Sequence, residues 1–192
     1  AFSWASSDWS DDVVYFVLID RFADGDSANN RRVERYNPGG YHGGDLRGLT
    51  AQLDELADLG ITALWINPVQ KQISQSFYAS APAKLGIPEF RHWGFHGYWI
   101  DDFTAMEPQF GSLDDLKHLV DEAHKRHIKV LLDVVYNHAG YGSVYETRRT
   151  QDGQSWLRVG EGNCEIDSIK CAVSGLPDFR TELPEVRDYL LN

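Results

Sequence analysis

Three short apolar runs constrain the fold of this chain more than any other feature. They are DVVYFVLI at residues 12–19, ITALWI at 61–66 and IKVLLDVV at 128–135. Each run is rich in Val, Ile, Leu and aromatic residues and lacks the polar alternation of a strand with one solvated face. Runs of this kind are typical of a parallel sheet that is covered on both sides. We therefore predict three parallel strands that are buried on both faces.

Two helical patterns separate the three runs. The first extends from about Asp45 to Leu59 and stops before Gly60, a favourable residue just after a helix. The second begins at Ser112, a natural N-cap, and continues to His127. Apolar residues recur at spacings of three and four, as one buried helix face requires: Leu46, Leu49, Leu53 and Leu56 in the first pattern, and Leu113, Leu116, Val120 and Ala123 in the second.

The order strand, helix, strand, helix, strand predicts the α/β class, with right-handed crossovers between parallel neighbours. Long loops leave the second and third strands, at about residues 67–111 and 136–183, whereas the helix-to-strand turns are tight. Barrels and open α/β sheets build their functional sites from long loops at the carboxyl ends of their strands. A last helix is predicted near LPEVRDYLLN, with Pro184 in its first turn.

Composition limits the partners that this chain can have. Its 192 residues are 42% hydrophobic, which is enough for one sizeable core, and carry a formal charge of −11. That charge would repel a phosphate backbone, so we expect no nucleic-acid partner. No window approaches a membrane span, and AFSWASSDWSDD at the N-terminus lacks the segments of a signal peptide. We expect a soluble chain that carries no signal peptide.

The two cysteines, Cys164 and Cys171, lie seven residues apart in a polar segment. Two buried thiols are one interpretation, but the segment has no apolar period that would bury them, so we favour a local disulfide. A disulfide favours an extracellular or periplasmic location.

Three stretches could carry chemistry. DRFADGDSANN, at residues 20–30, places oxygen-bearing side chains close together, which fits either a hard-cation site or an ordinary Asx-rich turn, although not an EF-hand. FRHWGFHGYWIDDF, at 90–103, could stack on sugar rings or fill a core. In HIKVLLDVVYNHAG, at 127–140, polar residues interrupt and close an apolar strand. Zinc, nucleotide and serine-hydrolase motifs are absent, and the helical His118, His124 and His127 do not form a metal-binding pattern.

Four ordered motifs together resemble the alpha-amylase superfamily, the retaining glycoside hydrolases built on a (β/α)8 barrel. DVVYNH at 133–138 resembles the signature at the end of the third barrel strand, and LPDF at 176–179 resembles the short signature of the inserted B domain. GFHGYW at 94–99 is similar to the loop with a sugar-stacking tyrosine. DGDSANN, followed by YHGGDLRG at 41–48, is similar to the calcium loop of cyclodextrin glycosyltransferases and many bacterial amylases.

The resemblance implies the N-terminal part of a TIM barrel, with its first three strands and their helices and a short B domain inserted after the third strand. Residues 1–138 would belong to the barrel and 139–178 to the B domain, and residues 179–192 would return to the barrel at the helix before its fourth strand. The family's nucleophile, acid/base and third carboxylate follow later strands, so we expect no catalytic carboxylate within this chain.

The resemblance also assigns roles to individual residues. Asp133 would support the floor of the active site, His138 and Tyr98 would contact substrate, and the neighbouring Trp99 joins them as a candidate. Asn137 and Asp178 would bind the family's main calcium ion. A second calcium ion would be bound by the loop residues Asp24, Asp26, Asn29, Asn30, Gly43 (through its carbonyl) and Asp45.

The implied activity is endo-acting hydrolysis of α-1,4-glucosidic bonds in starch and related glucans by a retaining mechanism. We expect starch or malto-oligosaccharides and the C-terminal remainder of the enzyme as partners, and we expect this chain alone to be inactive. A cyclodextrin glycosyltransferase or a cyclomaltodextrinase is the alternative, although residues 139–178 form a short B domain for the transferase. A third possibility is a non-catalytic amylase-like domain that binds carbohydrate or protein. The resemblance and the cysteine pair favour a secreted protein, extracellular or periplasmic.

Overall fold

The computed structural model describes residues 9–78, 86 and 88–192. The predicted loop at 67–111 therefore includes residues, 79–85 and 87, that lie outside the described part of the chain. Within the described residues the strands are β1 Val14–Val17, β2 Ala63–Ile66, β3 Gln70–Gln72, β4 Phe77–Tyr78, β5 Arg91–His92, β6 Ile100–Met106, β7 Lys129–Leu132, β8 Leu157–Arg158 and β9 Asp178–Phe179, and the α-helices are α1 Ile19–Phe22, α2 Leu46–Ala51, α3 Leu53–Asp58, α4 Leu113–Lys125 and α5 Pro184–Leu191.

The three predicted strands form one parallel sheet in the order β1-β2-β7. Phe16 of β1 pairs with Trp65 of β2, and Trp65 pairs with Leu131 of β7, so the strands lie side by side in register. The α/β class and the parallel arrangement are confirmed. The remaining strands form two-stranded antiparallel sheets in the long loops: β3 with β6, β4 with β5, and β8 with β9.

Helices cover only one face of the parallel sheet. Val17, Leu64 and Ile66 point toward α2, α3 and α4 and belong to the main buried cluster. On the opposite face, Phe16 and Trp65 contact each other with ring centroids 5.1 Å apart and are 43% and 41% exposed. The prediction of burial on both faces is therefore wrong for the described residues. In a closed (β/α)8 barrel this second face is the interior, which side chains from all of its strands fill together.

The first helical pattern forms two helices rather than one. The backbone N–H of Gln52 donates to the carbonyl of Leu49, which tightens the turn between α2 and α3. All four predicted stripe leucines remain buried, because the break does not turn the second helix away from the sheet. Asp45 caps α2, and its carboxylate accepts from Gly48 N at 2.7 Å.

The second helical pattern is confirmed at its start and differs at two other points. Ser112 and Asp115 form the capping box of α4. Leu113 is 52% exposed, contrary to the prediction, and Leu119 is fully buried. Helical side chains point toward the N-terminus, so Leu113 in the first turn extends past the start of the helix. The helix ends at Lys125, and His127 takes a left-handed φ of 59° in the turn to β7.

A second buried cluster lies in the long segment after β7. Tyr145, Trp156 and Phe179 pack there with Val186 and Leu190 of α5, and Pro184 begins α5 as predicted. Because this cluster joins residues from both sides of the predicted boundary at 178/179, the domain limits stay a prediction. The predicted disulfide between Cys164 and Cys171 is present, with Cα atoms 5.2 Å apart. No helix in the described part of the chain is long and apolar enough to cross a membrane.

The capping box gives a test of the fold. Replacing Ser112 with Ala removes the side-chain acceptor for Asp115 N, which should lower the free energy of unfolding by about 1 kcal/mol. Thermal unfolding followed by circular dichroism measures the loss, and Ser168→Ala at an exposed loop position is the control. An unchanged midpoint in Ser112→Ala would show that the cap does not stabilise α4.

Candidate functional site

Polar side chains mark the carboxyl ends of the three parallel strands. Asn67, fully buried after β2, accepts from Ile19 N just after β1 at 2.8 Å. Asp133 follows β7, and its backbone N–H donates to the carbonyl of Ile66 at 3.0 Å. The three strand ends are thus fixed to one another at one edge of the sheet. This is the edge at which α/β folds place their sites.

Tyr98, Asp133 and His138 meet at this edge. The hydroxyl of Tyr98 donates to Asp133 Oδ2 at 2.7 Å, and His138 Nε2 lies 3.1 Å from the carbonyl of Tyr98. Burial, together with the hydrogen bond to Asp133, raises the pKa of Tyr98 to about 12, so the hydroxyl stays a donor at neutral pH. Burial lowers the pKa of His138, which favours its neutral ring. Three residues predicted for the active site therefore form one hydrogen-bonded group.

His96 contacts both the backbone and the ring of Tyr98. Its Nδ1 accepts from Tyr98 N at 3.0 Å, and the two rings stack with centroids 5.8 Å apart. Burial lowers the pKa of His96 to about 4, which keeps the ring neutral and Nδ1 free to accept. His96 lies inside the GFHGYW motif, but sequence reasoning assigned it no role.

Trp99 belongs to an aromatic group that borders His96, with ring centroids 4.8 Å apart. Its ring contacts Phe77 and Tyr141 at centroid distances of 5.7 Å each, and its backbone N–H donates to Gln72 Oε1 at 2.8 Å. This places Trp99 next to Tyr98 in the chain but outside the Tyr98, Asp133 and His138 group. Its predicted contact with substrate stays a prediction.

The loop at residues 24–45 brings the predicted second set of calcium ligands together. Asp45 is fully buried and accepts from Gly25 N, Asp26 N and Asn29 Nδ2 at 3.1, 2.8 and 3.0 Å. Asp24 accepts from Asn30 Nδ2 at 2.7 Å. The loop therefore has a fixed shape around a concentration of side-chain oxygens.

Two amide oxygens of this loop bear on whether a cation would fit there. Asn29 Oδ1 and Asn30 Oδ1 are buried without a hydrogen-bond partner. A Cβ on Gly43, which has a φ of +96°, would lie 2.7 Å from Asn30 Oδ1 and 3.2 Å from Asp24 Oδ2, so these oxygens face the backbone of Gly43. Buried polar atoms are rarely left unpaired, and hard cations prefer oxygen ligands. The donor set fits Ca²⁺ because the amide oxygens contribute, although no three His, Cys, Asp or Glu side chains in the described chain form a metal cluster.

Asp20 connects this loop to the parallel sheet. Its carboxylate accepts from His42 N at 2.9 Å and from Gly43 N at 3.2 Å, and it pairs with Arg21. Arg21 lies over the Phe95 ring, 3.7 Å from its centroid. The loop is thereby held against both the end of β1 and the segment that carries Tyr98.

Backbone contacts bring the segments of Asn137 and Asp178 together. Their side-chain oxygens, however, do not form a group like that of the loop at residues 24–45. Phe179 N donates to the carbonyl of Asn137 at 2.9 Å, and the backbones of His138 and Asp178 form an isolated β-bridge. The Asp178 carboxylate is buried and bound by the guanidinium of Arg158. Burial raises the pKa of Asp178, and Arg158 acts against that rise. Binding of the main calcium ion by Asn137 and Asp178 stays a prediction, and the arrangement of these two side chains does not fit it.

Comparison with known proteins shows to which family this chain belongs. The family model for the alpha-amylase catalytic domain matches residues 16–159. The chain belongs to the alpha-amylase family. It is 41% identical over 158 residues to the periplasmic alpha-amylase of Escherichia coli strain K12, covering 80% of this chain and 23% of that protein. It is 30% identical over 208 residues to neopullulanase 2 of Thermoactinomyces vulgaris, covering 98% of this chain and 32% of that protein.

Solved alpha-amylase structures share the fold. An alpha-amylase from Anoxybacillus superimposes with a TM-score of 0.79 at 36% identity, covering 96% of this chain and 37% of that one. The Geobacillus thermoleovorans alpha-amylase, solved in complex with acarbose, gives a TM-score of 0.72 at 39% identity, covering 95% of this chain and 36% of that one. The chain thus corresponds to the N-terminal portion of the alpha-amylase catalytic domain, a TIM barrel, and spans 23% and 32% of the two curated relatives.

Sequence reasoning also missed Arg158. It stands in WLRV, where Trp156 and Leu157 are buried, and its own side chain is only 7% exposed. A basic residue in a short apolar strand signals a buried partner of opposite charge, because an unpaired buried charge is costly. That signal was available in the sequence, although the partner's identity was not.

The lowered pKa of His96 predicts a pH dependence of stability. Its folded-state pKa of about 4 lies below the ordinary value of 6.5, so between these values the unfolded chain binds more protons than the folded chain. Stability should therefore fall as the pH drops from about 6.5 toward 4. We expect His96→Gln to show a smaller decrease in melting temperature between pH 7.5 and 5 than the wild type.

Differential scanning fluorimetry at several pH values measures this difference. The exposed His118→Gln controls for the loss of one histidine. Equal decreases in the wild type and in His96→Gln would contradict the assignment.

Proposed function

We propose that this chain forms the substrate-binding side of an alpha-amylase cleft that hydrolyses internal α-1,4-glucosidic bonds in starch with retention of configuration. The observation that carries the proposal is the group of Tyr98, Asp133 and His138 at the carboxyl ends of the strands. The aromatic ring of Tyr98 offers a face to a sugar, and the hydrogen bond to Asp133 fixes the ring's position. His138 supplies an imidazole that contacts the backbone carbonyl of Tyr98.

Within this proposal the described residues bind and orient substrate, and they do not cleave it. Retaining hydrolysis needs two carboxyl groups about 5–5.5 Å apart, one as nucleophile and one as acid/base. Asp133 already accepts from the hydroxyl of Tyr98, so its role is to position that ring. The reacting carboxylates are expected from later strands of the barrel, and we propose that the rest of the enzyme completes the cleft.

We further propose that Asp24, Asp26, Asn29, Asn30, Gly43 and Asp45 bind Ca²⁺. Support comes from the two unpaired amide oxygens and from the carboxylates that surround them. Asp24 and Asp26 also pair with Arg35 and Arg47, but these arginine side chains are more than half exposed and could move aside for a bound Ca²⁺, unlike a buried guanidinium. The chain's own contribution is to hold the ligands ready, because Asp20 fixes Gly43 and the loop's backbone N–H groups fix Asp45.

Transglycosylation is the second candidate activity. The chain is 35% identical over 154 residues to a cyclomaltodextrin glucanotransferase of Geobacillus stearothermophilus, covering 76% of this chain and 20% of that protein. We favour hydrolysis because the segment at 139–178 is short for a transferase. The Cys164–Cys171 disulfide and the similarity to a periplasmic alpha-amylase support an extracellular or periplasmic location.

A product assay tests the activity. The complete enzyme should convert soluble starch into linear malto-oligosaccharides, and proton NMR of the first products should show the α-anomer. The 192-residue chain alone should show no turnover, since the reacting carboxylate pair is expected elsewhere. Cyclic products would favour the transferase, and β-anomers would contradict a retaining mechanism.

The calcium loop is tested by changing one oxygen ligand. Asn30→Leu removes the unpaired Oδ1, whereas Asn30→Asp keeps an oxygen at the same position. After chelation and re-addition of Ca²⁺, the wild type and Asn30→Asp should gain melting temperature, because a ligand that binds only the folded state stabilises it. Asn30→Leu should lose most of this gain. An equal gain in all three proteins would place calcium elsewhere.

A further inference from the structure

Arg158 and Asp178 face each other across a small antiparallel sheet. Arg158 is the last residue of β8, Asp178 is the first of β9, and the two are paired in register. Their side chains are 7% and 2% exposed. A basic and an acidic side chain are therefore buried at the same place, with backbone hydrogen bonds holding them together.

The guanidinium of Arg158 lies between two carboxylates. Its Nη1 donates to Asp178 Oδ2 and lies 3.4 Å from the carbonyl of Phe179, and its Nη2 donates to Glu182. Burial would lower the pKa of Arg158, but the hydrogen bonds to Glu182 and Asp178 raise it above its ordinary value. Arginine is well suited to this position because its planar fork can bind two partners and stays charged.

This ion group lies where the segment after β7 meets the returning chain. Phe179 N donates to the carbonyl of Asn137, and Ala139 N donates to the carbonyl of Pro177, both at 2.9 Å. On the other side of β9, Arg180 N donates to the carbonyl of Trp156 at 2.9 Å. β9, which carries the buried charge of Asp178, thus lies between β8 and the segment at residues 137–139.

We propose that Arg158 is the resident cation at Asp178, and that this junction is held together without calcium. A divalent ion on the Asp178 carboxylate would have to displace the guanidinium or lie beside it. Two cations side by side in a buried site repel each other strongly. The covalently attached guanidinium already pairs with the buried Asp178 carboxylate, and the remaining negative charge lies on Glu182, whose side chain is 40% exposed to solvent. The buried part of the junction therefore gains little from an added ion.

The proposal makes Arg158 a positioning residue for the cleft. The backbone of Asp178 forms a β-bridge with that of His138, and His138 contacts the carbonyl of Tyr98. Arg158 therefore acts on His138 through Asp178 rather than by contact with substrate. The proposal does not depend on the activity or on the loop calcium site proposed above, because its tests measure backbone protection and ion binding.

Hydrogen–deuterium exchange of the unmodified complete enzyme is the first test. We expect chelation of Ca²⁺ to leave exchange at residues 137–139 and 177–180 unchanged, because Arg158 remains in place. Faster exchange at these residues after chelation, by about tenfold or more, would overturn the proposal. Peptides from residues 24–45 report on the loop site separately, so failure of one proposal is distinguishable from failure of the other.

Variants of the ion group are the second test. Asp178→Asn should leave the number of Ca²⁺ ions bound per enzyme unchanged in calorimetric titration, and the loss of one ion would overturn the proposal.

Arg158→Met should speed exchange at 137–139 and 177–180, and added Ca²⁺ should partly reverse the effect because Asp178 is then open to a cation. Arg158→Lys, which keeps the charge, should lie closer to the wild type. Unchanged hydrogen–deuterium exchange in Arg158→Met would also overturn the proposal. If a variant fails to fold, the chelation experiment on the unmodified enzyme still tests it.

Discussion

The in-register pairing of β1, β2 and β7 is the constraint on which the rest of the structure depends. Because the three strands are parallel and side by side, the residues that follow them meet at one edge. Asn67 fixes the backbone after β1, Asp20 fixes the backbone of the loop at residues 24–45, and Asp133 fixes Tyr98. A slip of one residue would exchange the two faces of a strand and separate these polar groups.

Contacts between the loops make this edge one connected site. Asp20 holds Gly43 and pairs with Arg21, and Arg21 lies over Phe95 beside His96. The loop proposed to bind Ca²⁺ is therefore connected to the ring that is proposed to contact sugar. On the other flank of this edge, Arg158 and Asp178 hold β9, which forms a backbone bridge with His138. Both flanks depend on buried carboxylates that are satisfied by hydrogen bonds or charge.

Local patterns in the sequence predicted the strands, the cap at Ser112 and the α/β class, because apolar periodicity and capping are local properties. The exposure of Phe16 could not be read from its run, since it depends on what packs on the second face. The roles of Tyr98 and Asp133 rested on the resemblance, and neither the resemblance nor the spacing predicted that these residues, 35 positions apart, contact each other. The partner of Arg158 could not be identified from the sequence, because the pairing of two short strands 20 residues apart leaves no periodic signal.

The central claim is that Tyr98, Asp133 and His138 form the sugar-contacting side of the cleft. The most direct test is a crystal structure of the complete enzyme with a malto-oligosaccharide bound. The account predicts a glucose ring stacked on Tyr98 and within hydrogen-bonding distance of His138, with the Tyr98 hydroxyl still donating to Asp133. A sugar chain bound away from Tyr98, or a Tyr98 ring turned away from Asp133 in the complex, would contradict it.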